Sequence, residues 1–105
     1  MSEVLARLEA TIAARAGADP ASSYVAGLLA KGRPRIARKL GEEAVELIVA
    51  ALAEDRAALV GEAADLLFHL LVLLRAAEVP LADVLDELAR REGVSGIAEK
   101  ASRST

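Results

Sequence analysis

The stretch Arg38–Glu46 reads RKLGEEAVE, and sixteen residues after its last glutamate the stretch Glu62–His69 reads EAADLLFH. These two stretches decide the fold, because each carries acidic residues at helical spacing within an otherwise strongly apolar segment. An ionised carboxylate that is buried without a partner is so costly that it usually becomes protonated. Several such carboxylates together need a cation. The sequence therefore predicts two helices whose acidic residues frame a cation site.

The composition favours a single helical domain. The chain has 105 residues, of which 54% are apolar and 2% are aromatic, so we expect one domain over residues 1–105. The apolar residues are mostly Ala, Leu and Val, which favour closely packed helices. They also leave more apolar surface than one small domain can cover. We therefore expect a homodimer or a higher homo-oligomer.

Charge and residue usage argue against several classes of function. The absence of cysteine excludes disulfides, thiolate metal sites and a cysteine nucleophile. A net charge of −3 argues against a nucleic-acid partner. The longest apolar run, near Leu66–Leu74, is interrupted by His69 and is far shorter than the ~20 residues that span a bilayer, so no membrane partner is expected. No basic and hydrophobic leader opens the chain, which predicts a cytoplasmic protein.

Capping residues and helix breakers divide the chain into four main helices and a short one. Ser2 is expected to cap the first helix, and Pro34 is expected to hold Arg33 in an extended conformation. The predicted helices lie between Ser2 and about Gly17, between Ser22 or Ser23 and Gly32, from about Ile36 to Ala53, from about Arg56 (capped by Asp55) to Ala77, and between Pro80 and Gly93. The tail, residues 94–105, is predicted to add one weak turn or to remain mobile. The fold prediction is an all-α bundle.

On the helix predicted from Ile36, polar and apolar residues occupy different faces. At 100° per residue, the polar side chains fall within an arc of roughly 240–340° from Ile36. This polar arc consists of Arg35, Lys39, Glu42, Glu43 and Glu46. The neighbouring apolar arc, which is expected to face the core, consists of Leu40, Ala44, Leu47, Ile48 and Ala51. Glu43 lies at the edge of the apolar arc and is expected to point inward.

The next helix carries one narrow polar stripe among leucines. Glu62, Asp65 and His69 form this stripe at spacings of three and four residues. A helix that is apolar all round is a buried one, so the stripe is not expected to be a solvated face. The short connection between the two helices makes them antiparallel neighbours. Glu43 and Glu46 are therefore expected to converge with Glu62 and Asp65.

Two interpretations of these acids remain open. In one, Glu42, Glu43 and Glu46 form a solvated face that pairs with Lys39 and Arg35. In the other, which the second acidic pair favours, the acids bind a hard cation through oxygen, either Mg²⁺ or Mn²⁺. A ferritin-like di-iron centre is poorly supported, because it needs a Glu-x-x-His motif on each of two helices and the chain has one histidine. Mg²⁺ held by carboxylates is the usual arrangement for handling phosphates.

The acidic pattern resembles the signature of the all-α nucleoside triphosphate pyrophosphohydrolases. Further blocks resemble one family in particular, the phosphoribosyl-ATP pyrophosphohydrolases. These blocks are Ser23-Tyr24, Leu28–Gly32, Arg38–Leu47, Glu62–Leu74 and Ser95–Arg103, and the resemblance covers the chain from about Leu8 to Arg103. It implies the second step of histidine biosynthesis, in which phosphoribosyl-ATP is hydrolysed to phosphoribosyl-AMP and pyrophosphate. The cyclohydrolase that is fused to this domain in some organisms is absent here, so that activity is not expected.

The resemblance implies roles for the acidic residues at the matching positions. Glu43, Glu46, Glu62 and Asp65 would hold one or more Mg²⁺ ions that bind the triphosphate. Glu42 or Glu46 would orient or deprotonate the attacking water, and the sequence does not decide between them.

Basic residues near the acidic motif are candidates for substrate binding. Lys39 lies one turn before Glu43 and is expected to contact a phosphate. Lys31, Arg33 and Arg35 form a small basic cluster that suits phosphate or ribose-phosphate groups. For Arg33 and Arg35, an ordinary exposed side chain is the equal alternative.

Four more residues are candidates on weaker grounds. Tyr24 is expected either to stack on adenine or to pack between helices. His69 shares the acidic stripe, but a single histidine among leucines is more often a core residue with one hydrogen bond, so it is interpreted as a neighbour of the site. Lys100 and Arg103 match the family's tail and are expected to close over the substrate.

Two rival functions are compatible with the acidic motif. The first keeps the superfamily and makes the protein a house-cleaning enzyme that hydrolyses other nucleoside triphosphates. The second, from a different class, makes it a non-catalytic helical interaction module with an acidic groove. Only in the second case would removing a carboxylate leave the function intact.

Overall fold

The structure is a computed structural model, which describes residues 3–93 and 96–103. Six helices follow one another along the chain: α1 (Glu3–Arg15), α2 (Tyr24–Lys31), α3 (Arg33–Leu52), α4 (Arg56–Ala76), α5 (Leu81–Arg91) and α6 (Gly96–Arg103). No strand occurs within the described residues, which confirms the all-α prediction. The four predicted main helices are α1, α3, α4 and α5, and the predicted short helix is α2.

Local side-chain chemistry sets the ends of α2 and the start of α4. The Ser23 hydroxyl accepts a hydrogen bond from the Ala26 N–H at 3.2 Å, and the Asp55 carboxylate accepts one from the Ala58 N–H at 3.2 Å. Both are N-cap contacts that satisfy a donor which the helix itself leaves free. Gly32 ends α2 at a φ of 90°, a conformation that favours glycine. These caps lie where the sequence predicts them.

Two sequence expectations about helix ends are wrong. Arg33 is the first residue of α3 and not an extended residue, because Pro34 lies in the first turn, where its missing N–H is not needed. In the tail, α6 is an eight-residue helix and not a weak turn. The predicted Ser2 cap, like residues 94, 95, 104 and 105, lies outside the described part of the chain.

The core lies at one end of the hairpin formed by α3 and α4. Its buried side chains come from α1, α2, α3, α4 and α5, and they are Ile12, Val25, Leu28, Ile36, Leu71, Val72 and Leu81. Within the predicted apolar arc of α3, Leu40, Ala44 and Leu47 are half-buried. Ile48 and Ala51 are exposed, so the expectation that they face the core is wrong within a single chain. The reason is that α1 and α2 cover the other end of the hairpin.

The uncovered end of the hairpin is strongly apolar. It carries seven exposed large apolar side chains on the last part of α3 and the first part of α4, namely Val45, Ile48, Val49, Leu52, Leu59, Val60 and Leu67. Leu52 is 80% exposed, which is unusual for a leucine in a helical bundle. We call these seven residues the apolar face. A single chain leaves this face in contact with water.

Helix α4 is long and apolar enough, by length and composition alone, to cross a membrane. The expectation of no membrane partner rested on the run Leu66–Leu74, which is shorter than the whole of α4. The central helix of a bundle has the same character, and α4 contacts α1, α2 and α3. Only 17% of its most apolar part is buried within the chain. The helix therefore has much surface that the described residues do not cover.

Candidate functional site

Carboxylates from α3 and α4 meet at the middle of the hairpin. One oxygen each from Glu43, Glu62 and Asp65 lies within 4.8 Å of the other two. Glu43 is buried, Glu62 is half-buried and Asp65 is exposed, so the group forms a pocket of acids that opens to one side. The angular analysis of the sequence predicted this convergence. We call these three residues, together with Glu46, the acidic cluster.

Glu46 joins the cluster through its electrostatics. Its side-chain contact with Glu43 raises the pKa of the Glu46 carboxyl above its usual range, and the negative charges of Glu43 and Glu62 act in the same direction. Glu46 is exposed, so this shift reflects its acidic neighbours more than burial. Three of the acids predicted to bind a metal thus lie close together, and the fourth lies beside them.

Two oxygens of the cluster are buried without a partner in the described part of the chain. Glu43 Oε2 and Glu62 Oε2 are both buried and have no hydrogen-bond partner among the described residues. A buried carboxylate oxygen without a partner is costly, so these atoms indicate a ligand that the protein itself does not supply. Carboxylate oxygens are ligands that Mg²⁺ takes, and Glu43, Glu62 and Asp65 each bring one such oxygen within 4.8 Å of the other two. These three residues would therefore be the ones to hold such an ion.

Lys39 and Glu42 lie beside the cluster. Lys39 Nζ is 3.3 Å from Glu43 Oε1, and this contact raises the pKa of Lys39, so the ammonium stays charged. Glu42 is paired with two basic side chains, at 3.6 Å from Arg38 and 4.0 Å from Lys39. The solvated-face interpretation therefore describes Glu42, whose side chain is 54% exposed, but not the buried Glu43.

His69 is a buried residue that links Tyr24 to the acidic helix. Its Nδ1 lies 2.7 Å from the Asp65 backbone carbonyl, which can only accept, so Nδ1 carries the proton and donates. In the neutral ring Nε2 then accepts from the Tyr24 hydroxyl at 2.8 Å. Tyr24 also stacks on Phe68, with ring centroids 6.0 Å apart. His69 thus makes two hydrogen bonds where the sequence analysis expected one, and it fixes the position of Tyr24.

A groove lined mostly by basic side chains runs between α2 and α3. Its cavity of about 230 Å³ is lined by Leu28, Lys31, Arg35, Arg38, Lys39 and Glu42, and we call it the basic groove. Lys31, Arg35 and Lys39 are predicted substrate-binding residues, whereas Arg38 was not predicted to have this role. The signal was available, because Arg35, Arg38 and Glu42 are spaced at three and four residues on one helix face.

The other basic candidates lie elsewhere. Arg33 is exposed and lines none of the basic groove, in agreement with the alternative of an ordinary surface side chain. Lys100 and Arg103 are exposed on α6 and are not part of the groove lining either. The role expected for these two residues over the substrate stays a prediction.

Known proteins resemble this chain over nearly its whole length. The family described as Phosphoribosyl-ATP pyrophosphohydrolase matches residues 5–92. A protein named phosphoribosyl-ATP pyrophosphatase from Rhizorhabdus wittichii is 67% identical over 103 residues, covering 98% of this chain and 97% of its own length. Proteins of the same name from Novosphingobium aromaticivorans and Agrobacterium fabrum are 70% and 56% identical, covering 97% and 96% of this chain and 95% and 94% of their own lengths. The chain is therefore a hydrolase and belongs to the phosphoribosyl-ATP pyrophosphohydrolase family.

Proposed function

We propose that the protein hydrolyses phosphoribosyl-ATP to phosphoribosyl-AMP and pyrophosphate, the second step of histidine biosynthesis, with Mg²⁺ as its cofactor. The observation that carries this proposal is the acidic cluster, in which two buried carboxylate oxygens have no protein partner. The names of the relatives supply the substrate. The expected compartment is the cytoplasm, where charged nucleotides are made and consumed.

The acidic cluster supplies the ligands for the metal. Glu43, Glu62 and Asp65 would hold the ion, with Glu46 beside them. Mg²⁺, or Mn²⁺ in its place, neutralises phosphate charge and polarises a phosphoryl oxygen when it is bound. Oxygen ligands alone select this class of hard cation.

Glu46 is the better candidate for activating the attacking water. Glu42 already has two cationic partners, Arg38 at 3.6 Å and Lys39 at 4.0 Å. Glu46 forms no ion pair within the described residues, and its pKa is raised by the neighbouring acids. Efficient general bases have a pKa nearer to the working pH. Glu46 would take a proton from the water while the oxygen of the water bonds to phosphorus. The phosphoanhydride bond between the α- and β-phosphates breaks in the same step.

Basic and aromatic side chains next to the cluster would position the nucleotide. Lys39 already lies at the level of Glu43 and can donate to a phosphate oxygen. The Tyr24 ring is 56% exposed and is held by His69 and Phe68, so it offers a fixed surface against which a base can pack. Lys100 and Arg103 remain candidates for closing over the substrate.

Product analysis tests the reaction directly. The purified protein should convert phosphoribosyl-ATP to pyrophosphate and phosphoribosyl-AMP when Mg²⁺ is present. Phosphorus NMR identifies the products. Orthophosphate as the only phosphate product would contradict the proposed bond of cleavage. Asp65→Asn should abolish turnover, whereas Asp86→Asn, a matched change on the exposed face of α5, should leave it unchanged. Full activity of Asp65→Asn would refute the acidic cluster as the metal site, whereas a wild-type protein without any turnover would favour a non-catalytic acidic module.

A substrate panel separates this function from a house-cleaning enzyme of the same superfamily. The comparison is between kcat/KM for phosphoribosyl-ATP and for ordinary ribo- and deoxyribonucleoside triphosphates. The proposal expects phosphoribosyl-ATP to be preferred by orders of magnitude. Comparable values for a deoxynucleoside triphosphate would favour the house-cleaning role.

We further propose that the apolar face is covered by a second copy of the chain. The face combines seven large exposed side chains on two adjacent helices, and exposed apolar patches of this kind mark interaction sites. A helical hairpin that stacks on its own copy by a two-fold axis completes a four-helix bundle, which is a common closed arrangement. The Cα radius of gyration is 15.7 Å, whereas a compact chain of about this length has roughly 13 Å, as expected for a hairpin that projects from its core.

Oligomeric state tests this interface. Light scattering after gel filtration should show a dimer or a multiple of it at micromolar concentration. Val49→Asp would place a charge in the apolar face and should dissociate the assembly. Leu88 on α5 is a similarly exposed apolar residue outside the apolar face, so Leu88→Asp should leave the assembly intact. A monomeric wild-type chain, or an assembly that Leu88→Asp disrupts and Val49→Asp does not, would overturn the proposed interface.

A further inference from the structure

Two of the four cations in the basic groove are free to bind an anion. Lys39 pairs with Glu43 at 3.3 Å and Arg38 pairs with Glu42 at 3.6 Å, so both are committed to acids. Lys31 and Arg35 line the same groove and form no ion pair or hydrogen bond within the described residues. Both side chains are exposed. The groove therefore has an uncompensated positive end.

This positive end lies away from the acidic cluster. Arg35 precedes Glu43 by eight residues on α3, which corresponds to about 12 Å along the helix axis. Lys39 lies halfway between them and serves the acidic end. A triphosphate bound at the acidic cluster and Lys39 would thus leave Lys31 and Arg35 for a different group of the substrate.

The groove continues toward Tyr24. A second cavity, of about 410 Å³, shares Leu28 and Lys31 with the basic groove and is also lined by Tyr24 and Gly27. A molecule seated on this surface can contact the exposed tyrosine ring with an apolar base while an anionic end reaches Lys31. The two cavities meet at Leu28 and Lys31, so an elongated nucleotide could extend from one to the other.

We propose that Lys31 and Arg35 bind the phosphomonoester of the phosphoribosyl group, and thereby make the enzyme select phosphoribosyl-ATP over ATP. This inference rests on the proposed function, since it takes phosphoribosyl-ATP as the substrate. A phosphomonoester carries a charge of about −1.5 to −2 at neutral pH and offers three strong acceptors, which suit the fork of an arginine and the ammonium of a lysine. ATP has no group at this position. Selection then comes from a contact that only the longer substrate can make.

The groove can be tested without turnover by measuring the binding of phosphoribosyl-AMP and of AMP. Phosphoribosyl-AMP and AMP differ by the phosphoribosyl group alone, and neither carries the triphosphate. Calorimetric titration of the full-length protein should show tighter binding of phosphoribosyl-AMP. Lys31→Gln and Arg35→Gln should each weaken it about tenfold, as expected for loss of one charge-assisted contact, and leave AMP unchanged. Arg33→Gln is the matched control, because this arginine lies in the same segment but outside the groove.

Kinetics give a second readout. Each groove variant should raise KM for phosphoribosyl-ATP and keep kcat within about twofold, and it should leave the affinity for ATP unchanged. Equal losses with ATP and phosphoribosyl-ATP would assign the groove to the triphosphate and overturn the proposal. So would groove variants that bind phosphoribosyl-AMP as tightly as Arg33→Gln does. A wild-type protein that binds phosphoribosyl-AMP through the groove but does not hydrolyse phosphoribosyl-ATP would refute only the proposed function.

Discussion

Without metal, the Glu43→Gln variant should be more stable than wild type. With Mg²⁺ present, it should be less stable than wild type. Glu43 is 5% exposed, and its Oε2 atom is buried without a partner beside three other acids. Glutamine keeps the shape of the side chain and removes the charge. The variant therefore separates the electrostatic cost of the acidic cluster from its packing.

The magnitude follows from two opposing terms. Removing a buried, unpaired charged oxygen recovers about 1–3 kcal/mol of unfolding free energy. Losing the Glu43–Lys39 ion pair costs about 0–1 kcal/mol, because the Lys39 side chain is 36% exposed and its charge is screened by solvent. The net effect without metal is a stabilisation of about 1 kcal/mol, or a rise in Tm of roughly 4–8 °C for a domain of this size. With Mg²⁺ at one hundred times its Kd, wild type gains about 2.7 kcal/mol and overtakes the variant.

Thermal unfolding followed by circular dichroism, with EDTA and then with a Mg²⁺ series, measures both terms. The order of the two melting temperatures should reverse between the ends of the series. Asp86→Asn, which removes an exposed acid on α5, should track wild type throughout. A Glu43→Gln protein that melts well below wild type in EDTA, or that gains as much from Mg²⁺ as wild type does, would refute this account of the cluster.

Three further changes test other parts of the structure. Two arginines hold the pKa of the Glu87 carboxyl at about 2. The stabilising effect of the Glu87 charge is therefore present above the ordinary pKa near 4.5 and is lost as the pH falls through 2. Glu87→Gln should lower Tm at pH 7 and make no difference near pH 2. Gly32→Ala should cost about 1–3 kcal/mol in chemical denaturation, because φ is 90° there. Glu9 accepts from the Leu81 N–H at 2.7 Å and caps α5 from outside, so Glu9→Ala should cost about 1 kcal/mol and Glu9→Gln less.

The convergence of the acids could be predicted because it follows from helix geometry alone. Glu43 and Glu46 are three residues apart, as are Glu62 and Asp65, and a short connection requires the two helices to be antiparallel neighbours. Apart from the short connection between the two helices, the prediction needed no information about contacts between distant residues. The helix starts at Ser23 and Asp55 were predictable for the same reason, since each cap acts within its own turn.

Features that depend on contacts between distant segments could not be predicted. Periodicity places Ile48 in the apolar arc of α3, but it does not show that α1 and α2 stop short of this residue. The cap of α5 by Glu9 joins residues 72 positions apart, and no local pattern signals it. The same holds for the second hydrogen bond of His69, which depends on α2 placing Tyr24 over α4.

The three proposals assign different chemistry to successive positions along α3. Arg35 lies at the positive end of the basic groove, Glu43 lies in the acidic cluster eight residues later, and Val49 lies on the apolar face beyond it. A substrate with a phosphate at each end needs both a cation-rich and a metal-binding region, and one straight helix keeps them at a constant separation. Because α1 and α2 cover only the first of these regions, the acidic cluster stays open to solvent on one side. The exposed apolar end is then the part of the helix that a second chain can cover without blocking the groove.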